Sequence, residues 1–151
     1  MASGQGPSMD EFFKMPHRRE MIALGSGFVI HPSGFIVSCA HGTEHVVSAH
    51  ATLSDGGTFQ ADLIGLSREH DLALLKVDTQ LPLKSVQLAK TGDFYIGEPV
   101  IVIGNPGGLL LTCTQGILSA ANRSTQSGGL EGVTLRGLIQ SDAAINQGSS
   151  G

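Results

Sequence analysis

No stretch of this chain sustains helical apolar periodicity. From residue 24 onward it is a series of short apolar runs broken by turn residues, a pattern that points to β-structure. Runs 24–30 and 35–38 flank His31-Pro32-Ser33-Gly34, and runs 45–53 and 58–66 flank Ser54-Asp55-Gly56-Gly57; both read as hairpins. Residues 71–77 form a nearly continuous apolar run, the mark of a strand buried on both faces. Residues 78–98 are polar and read as a crossing between two halves. Runs 99–104, 109–119 and 135–140 follow, with 122–132, rich in Ser, Gly and Gln, expected as a loop. Many short strands at even spacing imply an all-β sandwich or barrel.

With 151 residues the chain is at most one ordinary domain, or one small domain plus part of another. A hydrophobic fraction of 40% suffices for a core, and with no tryptophan and one tyrosine it must be built on Val, Ile, Leu and six Phe. A formal net charge of −4 argues against nucleic acid or an anionic membrane as partner. No apolar run approaches the ~20 residues of a membrane span. Residues 1–20 read as a mobile, polar arm whose apolar pair is Phe12-Phe13, without the apolar stretch of a secretory signal. Cys39 and Cys113 have no metal spacing; one disulfide is possible but not indicated, and free buried thiols are expected.

The chemistry-bearing residues stand at the edges of these runs. Residues 139–151 end in Gly148-Ser149-Ser150-Gly151, where glycines let the backbone bend so that a hydroxyl stands clear and N–H groups converge. Alone, this could equally be a flexible surface loop. His41 follows the strand-like run 35–40, and Asp71 stands where the chain enters the core, a costly place for a carboxylate unless it is paired. Singly, each has a bland reading as structural histidine, strand-entry cap and loop serine.

Together they carry a resemblance. Gly25-Ser26-Gly27-Phe28-Val29-Ile30, Gly34-Phe35-Ile36-Val37-Ser38-Cys39-Ala40-His41 and Asp71-Leu72-Ala73-Leu74-Leu75-Lys76-Val77 resemble the protease domain of the HtrA/Deg family. So do Ile101-Val102-Ile103-Gly104-Asn105-Pro106-Gly107-Gly108 and Gln140-Ser141-Asp142-Ala143-Ala144-Ile145-Asn146, in family order. The resemblance implies a chymotrypsin/trypsin-like double β-barrel whose second barrel is incomplete. It places an arm at 1–23, a first barrel at 24–84, a partial second barrel at 85–151, and no PDZ domain in this chain. It also implies a serine endopeptidase acting on unfolded polypeptides, with His41 as general base, Asp71 as its orienting carboxylate and Ser150 as nucleophile. The N–H groups of Gly148 and Ser150 become the oxyanion hole. Ala144, Ile145 and Asn146 become the substrate-binding stretch; Ala144 stands where trypsin-type enzymes place a specificity aspartate, so a small aliphatic residue is expected at the cleavage site. No cofactor or metal is implied, a homotrimer through the N-terminal segment is, and family members are often periplasmic or organellar.

Gln147, Ser149, Cys39 and Gly42 depart from the family pattern without removing a catalytic group. The family continues beyond the serine turn with strands that close the second barrel, so weak or absent turnover is expected of this chain alone. Other chemistries fit less well. His41 and His45 stand at i, i+4 but lack the zincin Glu directly after the first His, Gly104-Asn105-Pro106-Gly107-Gly108 lacks the P-loop Lys, and Cys39 is read as a structural thiol. As a nucleophile Cys39 would share a strand face with His41, two residues away, and could not align with it. The rival from another class is a peptide-binding, chaperone-like module on the same scaffold; an incomplete gene product without a function of its own is the third.

Overall fold

The computed structural model describes residues 25–44, 46–90, 92–105, 112–146 and 148–151. Eight strands are found among the described residues: β1 (Phe28–His31), β2 (Phe35–Ser38), β3 (Ala49–Thr52), β4 (Thr58–Ser67), β5 (Leu72–Val77), β6 (Pro99–Gly104), β7 (Thr112–Gln126) and β8 (Thr134–Ser141). They form a five-stranded sheet ordered β1-β2-β5-β4-β3 and a three-stranded sheet ordered β6-β7-β8, with every pairing antiparallel.

Alternation of side chains builds the first core. In β2, Ile36 and Ser38 turn inward; in β5, Ala73, Leu75 and Val77 do, and the register pairs Ile36 with Leu75. Ile36, Ala61, Leu75 and Val77 form a buried cluster, against which Val29, Ala49, Ala51, Phe59 and Leu83 pack. Run 71–77 is therefore buried on one face, not two. Lys76 shows why: it points away from the cluster, and its ammonium donates to the Val77 carbonyl and pairs with Asp78.

Both hairpins form where turn chemistry placed them. Gly34 N–H donates to His31 O at 3.0 Å, and Gly34 adopts φ 96°, in the left-handed region. In the second turn the Asp55 carboxylate accepts the Gly57 N–H at 2.9 Å, and Gly56 takes φ 88°. The described residues of the 78–98 stretch contain no strand and lead from the first sheet to the second. Leu83 and Val86 N–H groups donate to Pro32 and Val29 carbonyls at one end, and Gly97 N–H donates to Leu118 O at the other.

The expected loop at 122–132 is corrected. β7 continues to Gln126 and pairs with β8 through repeated register shifts, while Asn122 sits at φ 55°. Backbone pairing tolerates the polar sequence, and the left-handed Asn absorbs the irregularity. Only residues 127–133 connect the strands. The second sheet buries Leu118, with Leu130 and Ala143 also buried nearby in sequence, and leaves Ile101, Ile103, Ile117 and Ile139 exposed.

Gly34 and Gly56 share a left-handed backbone but differ in surroundings. A Cβ at Gly34 would lie 2.2 Å from Val77 O, whereas one at Gly56 meets nothing within 4 Å. Gly56→Ala is expected to lose about 1 kcal/mol from conformation alone, and Gly34→Ala substantially more because backbone must move. Urea denaturation of both variants checks this; equal losses would contradict it.

Candidate active site

His41 lies just past β2, at the start of a turn in which the Thr43 and Glu44 N–H groups donate to the Ala40 carbonyl, each at 2.9 Å. Asp71 lies just before β5 and is one of two described non-glycine residues with positive φ, at 54°. Aspartate tolerates that conformation better than most residues, and such strain persists where the surroundings over-determine it. Here they do. Asp71 O accepts the Ala40 N–H at 3.2 Å, Asp71 Oδ1 accepts the His41 N–H at 2.9 Å, and Asp71 Oδ2 lies 2.8 Å from His41 Nδ1. An Arg68–Glu44 ion pair joins the same two turns from outside. The His41 side chain is 28% exposed and that of Asp71 11%, so the ring opens outward while the carboxylate is sheltered behind it.

The serine turn docks on the first sheet. Ser26 N–H donates to Ser150 O at 2.7 Å, Ser26 Oγ donates to Gly148 O at 2.8 Å, and Asn105 N–H donates to Ser26 Oγ at 2.9 Å. Ser38 Oγ, at the end of β2, donates to Ser26 O at 2.7 Å. Gly148 is buried at φ 96°, and Ser149 N–H closes the turn on Asn146 O at 2.9 Å. Gly104 backs it so closely that a Cβ there would meet Ser149 Cα at 3.0 Å. Among the described residues, the N–H groups of Gly148 and Ser150 have no hydrogen-bond acceptor, and the Ser150 hydroxyl makes no hydrogen bond to the His41 ring.

Of the remaining expected residues, Ala144, Ile145 and Asn146 form an exposed segment held to β7. Thr114 Oγ1 donates to Ala144 O at 2.9 Å, and Ile117 N–H donates to an Asp142 carboxylate oxygen at 2.7 Å. His45, Gln147, residues 106–108 and the arm with Phe12 and Phe13 fall outside the described residues. Cys39 and His41 do not share a strand, because β2 ends at Ser38. Burial and, secondarily, the Asp71 charge push the Cys39 thiol above its usual pKa, while a Gly151 N–H hydrogen bond pulls it down.

Two contributors were not singled out from sequence. Ser26 was visible only as part of a motif. Gly129 lies against the catalytic candidate itself: a Cβ there would come within 2.5 Å of His41 Cβ and 2.6 Å of Cγ. No local signal marks that approach.

A family model described as "Trypsin-like peptidase domain" matches residues 25–151. The chain is 36% identical over 135 residues to the periplasmic serine endoprotease DegP of Escherichia coli (strain K12), covering 89% of this chain and 28% of that protein. It is 39% identical over 142 residues to the magnetosome formation protease MamE of Paramagnetospirillum magneticum, covering 92% of this chain and 19% of MamE. The solved HtrA-type protease AlgW with decapeptide matches with a TM-score of 0.73 at 36% identity, over 85% of this chain and 38% of that one. The chain thus spans about a fifth to two-fifths of the length of these proteins.

Ser26→Ala removes the donor to Gly148 O and the acceptor for Asn105 N–H together. A loss of about 1–3 kcal/mol in unfolding free energy is expected from groups left unpaired, read by urea denaturation. A loss under about 0.5 kcal/mol would show that the turn is held by other means.

Proposed function

The chain belongs to the trypsin-like peptidase family, and from that premise we propose that it carries the serine endopeptidase centre of an HtrA/Deg-type protease. His41, Asp71 and Ser150 act as base, orienting carboxylate and nucleophile. The observation that carries this reading is the double hold of Asp71 on His41, at the ring nitrogen (2.8 Å) and the backbone N–H (2.9 Å). That hold keeps the proton on Nδ1 and leaves Nε2 as the proton acceptor.

In the proposed reaction, Ser150 Oγ attacks the peptide carbonyl as His41 Nε2 takes its proton. Asp71 stabilises the imidazolium without itself being protonated. The carbonyl oxygen, now negative, is received by the N–H groups of Gly148 and Ser150, whose lack of acceptors among the described residues suits that role. His41 then returns the proton to the leaving amine, and water cleaves the acyl-enzyme by the same steps. The Ser150–His41 hydrogen bond forms when substrate is bound, since catalytic contacts are often long in free enzymes.

Ala144, Ile145 and Asn146 supply the specificity stretch, where the lack of a carboxylate at Ala144 favours a small aliphatic side chain. Unfolded polypeptide is the substrate class, and a homotrimer through residues 1–23 the assembly. In this reading the chain divides into a first barrel at 24–84, which carries the base, and a partial second barrel at 85–151, which carries the nucleophile.

A fluorophosphonate probe tests the triad even where turnover is slow. The adduct is expected on Ser150 and is abolished by Ser150→Ala and His41→Ala. Asp71→Asn slows labelling toward the ~10⁴-fold loss seen when an orienting carboxylate is removed. Labelling elsewhere, or at Ser150 with a rate indifferent to His41, would overturn the proposal.

A further inference from the structure

Cys39 takes no part in the proteolytic reading, yet it stands inside the site. Its Sγ, a His41 ring nitrogen and an Asp71 carboxylate oxygen all lie within 4.8 Å of one another, and all three residues are half-buried. They come from two turns that the Ala40–Asp71 and His41–Asp71 hydrogen bonds lock together. The cluster is therefore part of the scaffold, not a chance meeting of mobile side chains.

One sulfur, one imidazole nitrogen and one carboxylate oxygen make a donor set for zinc-class ions, not for magnesium or calcium, which take oxygen ligands. With Zn–S near 2.3 Å and Zn–N and Zn–O of 2.0–2.2 Å, tetrahedral ligand atoms sit roughly 3.5 Å apart. Separations bounded by 4.8 Å reach that spacing by closing about 1 Å at most, and the 2.8 Å pair of His41 Nδ1 and Asp71 Oδ2 opens by roughly half an ångström. Asp71 Oδ1 is occupied by the His41 N–H, so Oδ2 is the available oxygen, and the nitrogen facing it is Nδ1.

We infer that Cys39, His41 and Asp71 form a binding site for a zinc-class divalent cation, and that the bound ion disables His41 as a base. Coordination takes Cys39 as thiolate, releasing its proton to solvent, and takes the Nδ1 lone pair, moving the ring proton from Nδ1 to Nε2. With that proton in place, Nε2 cannot accept another from Ser150. This second consequence rests on the proteolytic reading; the site itself does not.

Cobalt(II), a spectroscopic stand-in for zinc, tests the site in the purified chain. A thiolate-to-cobalt charge-transfer band with tetrahedral d–d absorption is expected at one ion per chain. It persists in Cys113→Ser, which removes the exposed thiol on β7, and vanishes in Cys39→Ala. No band, or one that survives Cys39→Ala, would overturn the site. Wild-type thermal unfolding gives a readout without variants: zinc raises Tm and magnesium at equal concentration does not, and an unchanged Tm with zinc counts against the site. Zinc should also slow fluorophosphonate labelling in wild type but not in Cys39→Ala; equal slowing in both would overturn the switch. A chain that binds cobalt through Cys39 yet never labels at Ser150 would leave the site standing and remove the proteolytic reading alone.

Discussion

The hydrogen bonds of Ser26 tie distant stretches of the chain to one point. Its hydroxyl joins Gly148 and Asn105, its N–H holds the Ser150 carbonyl, and its own carbonyl receives Ser38. Through these contacts the serine turn, the end of β6 and the end of β2 share an anchor. Because β2 leads directly into Cys39, Ala40 and His41, the placement of the turn relative to the histidine depends on this serine. Such partly buried bonds are worth only about 1 kcal/mol each net. Their importance lies in geometry, since the two sheets have few other described links between them.

The opposite side of the site is built on strain and restraint. Asp71 occupies a left-handed conformation that costs of order 1–3 kcal/mol, and three hydrogen bonds to Ala40 and His41 hold it there. Gly129 completes the enclosure by approaching His41 more closely than any side chain could. The same compactness that orients the imidazole brings Cys39 within reach of it, so a single side-chain cluster supports both the proteolytic and the metal-binding proposals.

What was legible in the sequence follows physical range. Turn chemistry is local, so Gly34 and Gly56 marked both hairpins, and the apolar run 99–104 coincides with β6. The motifs led to the trypsin-like family because each keeps its residues together in sequence. Residues 122–126 misled, because a Ser-, Gly- and Gln-rich composition reads as loop, while β7 persists there through backbone pairing and a left-handed Asn122. Lys76 interrupts an apolar run that reads as doubly buried, yet it reports the exposed face. Ser26 could not be seen as an anchor, since its side-chain partners lie 79 and 122 positions away. Contacts of that span leave no periodicity and no spacing.

Amide hydrogen exchange at Ser26 and Asn105 tests most directly whether the serine turn is anchored to the first sheet. Both N–H groups are donors in the Ser26 cluster, so both should be protected and should lose protection together as the turn opens. Exchange of either amide at the rate of an unstructured chain would show that the turn is not held there, and that the alignment of Ser150 with His41 has another origin.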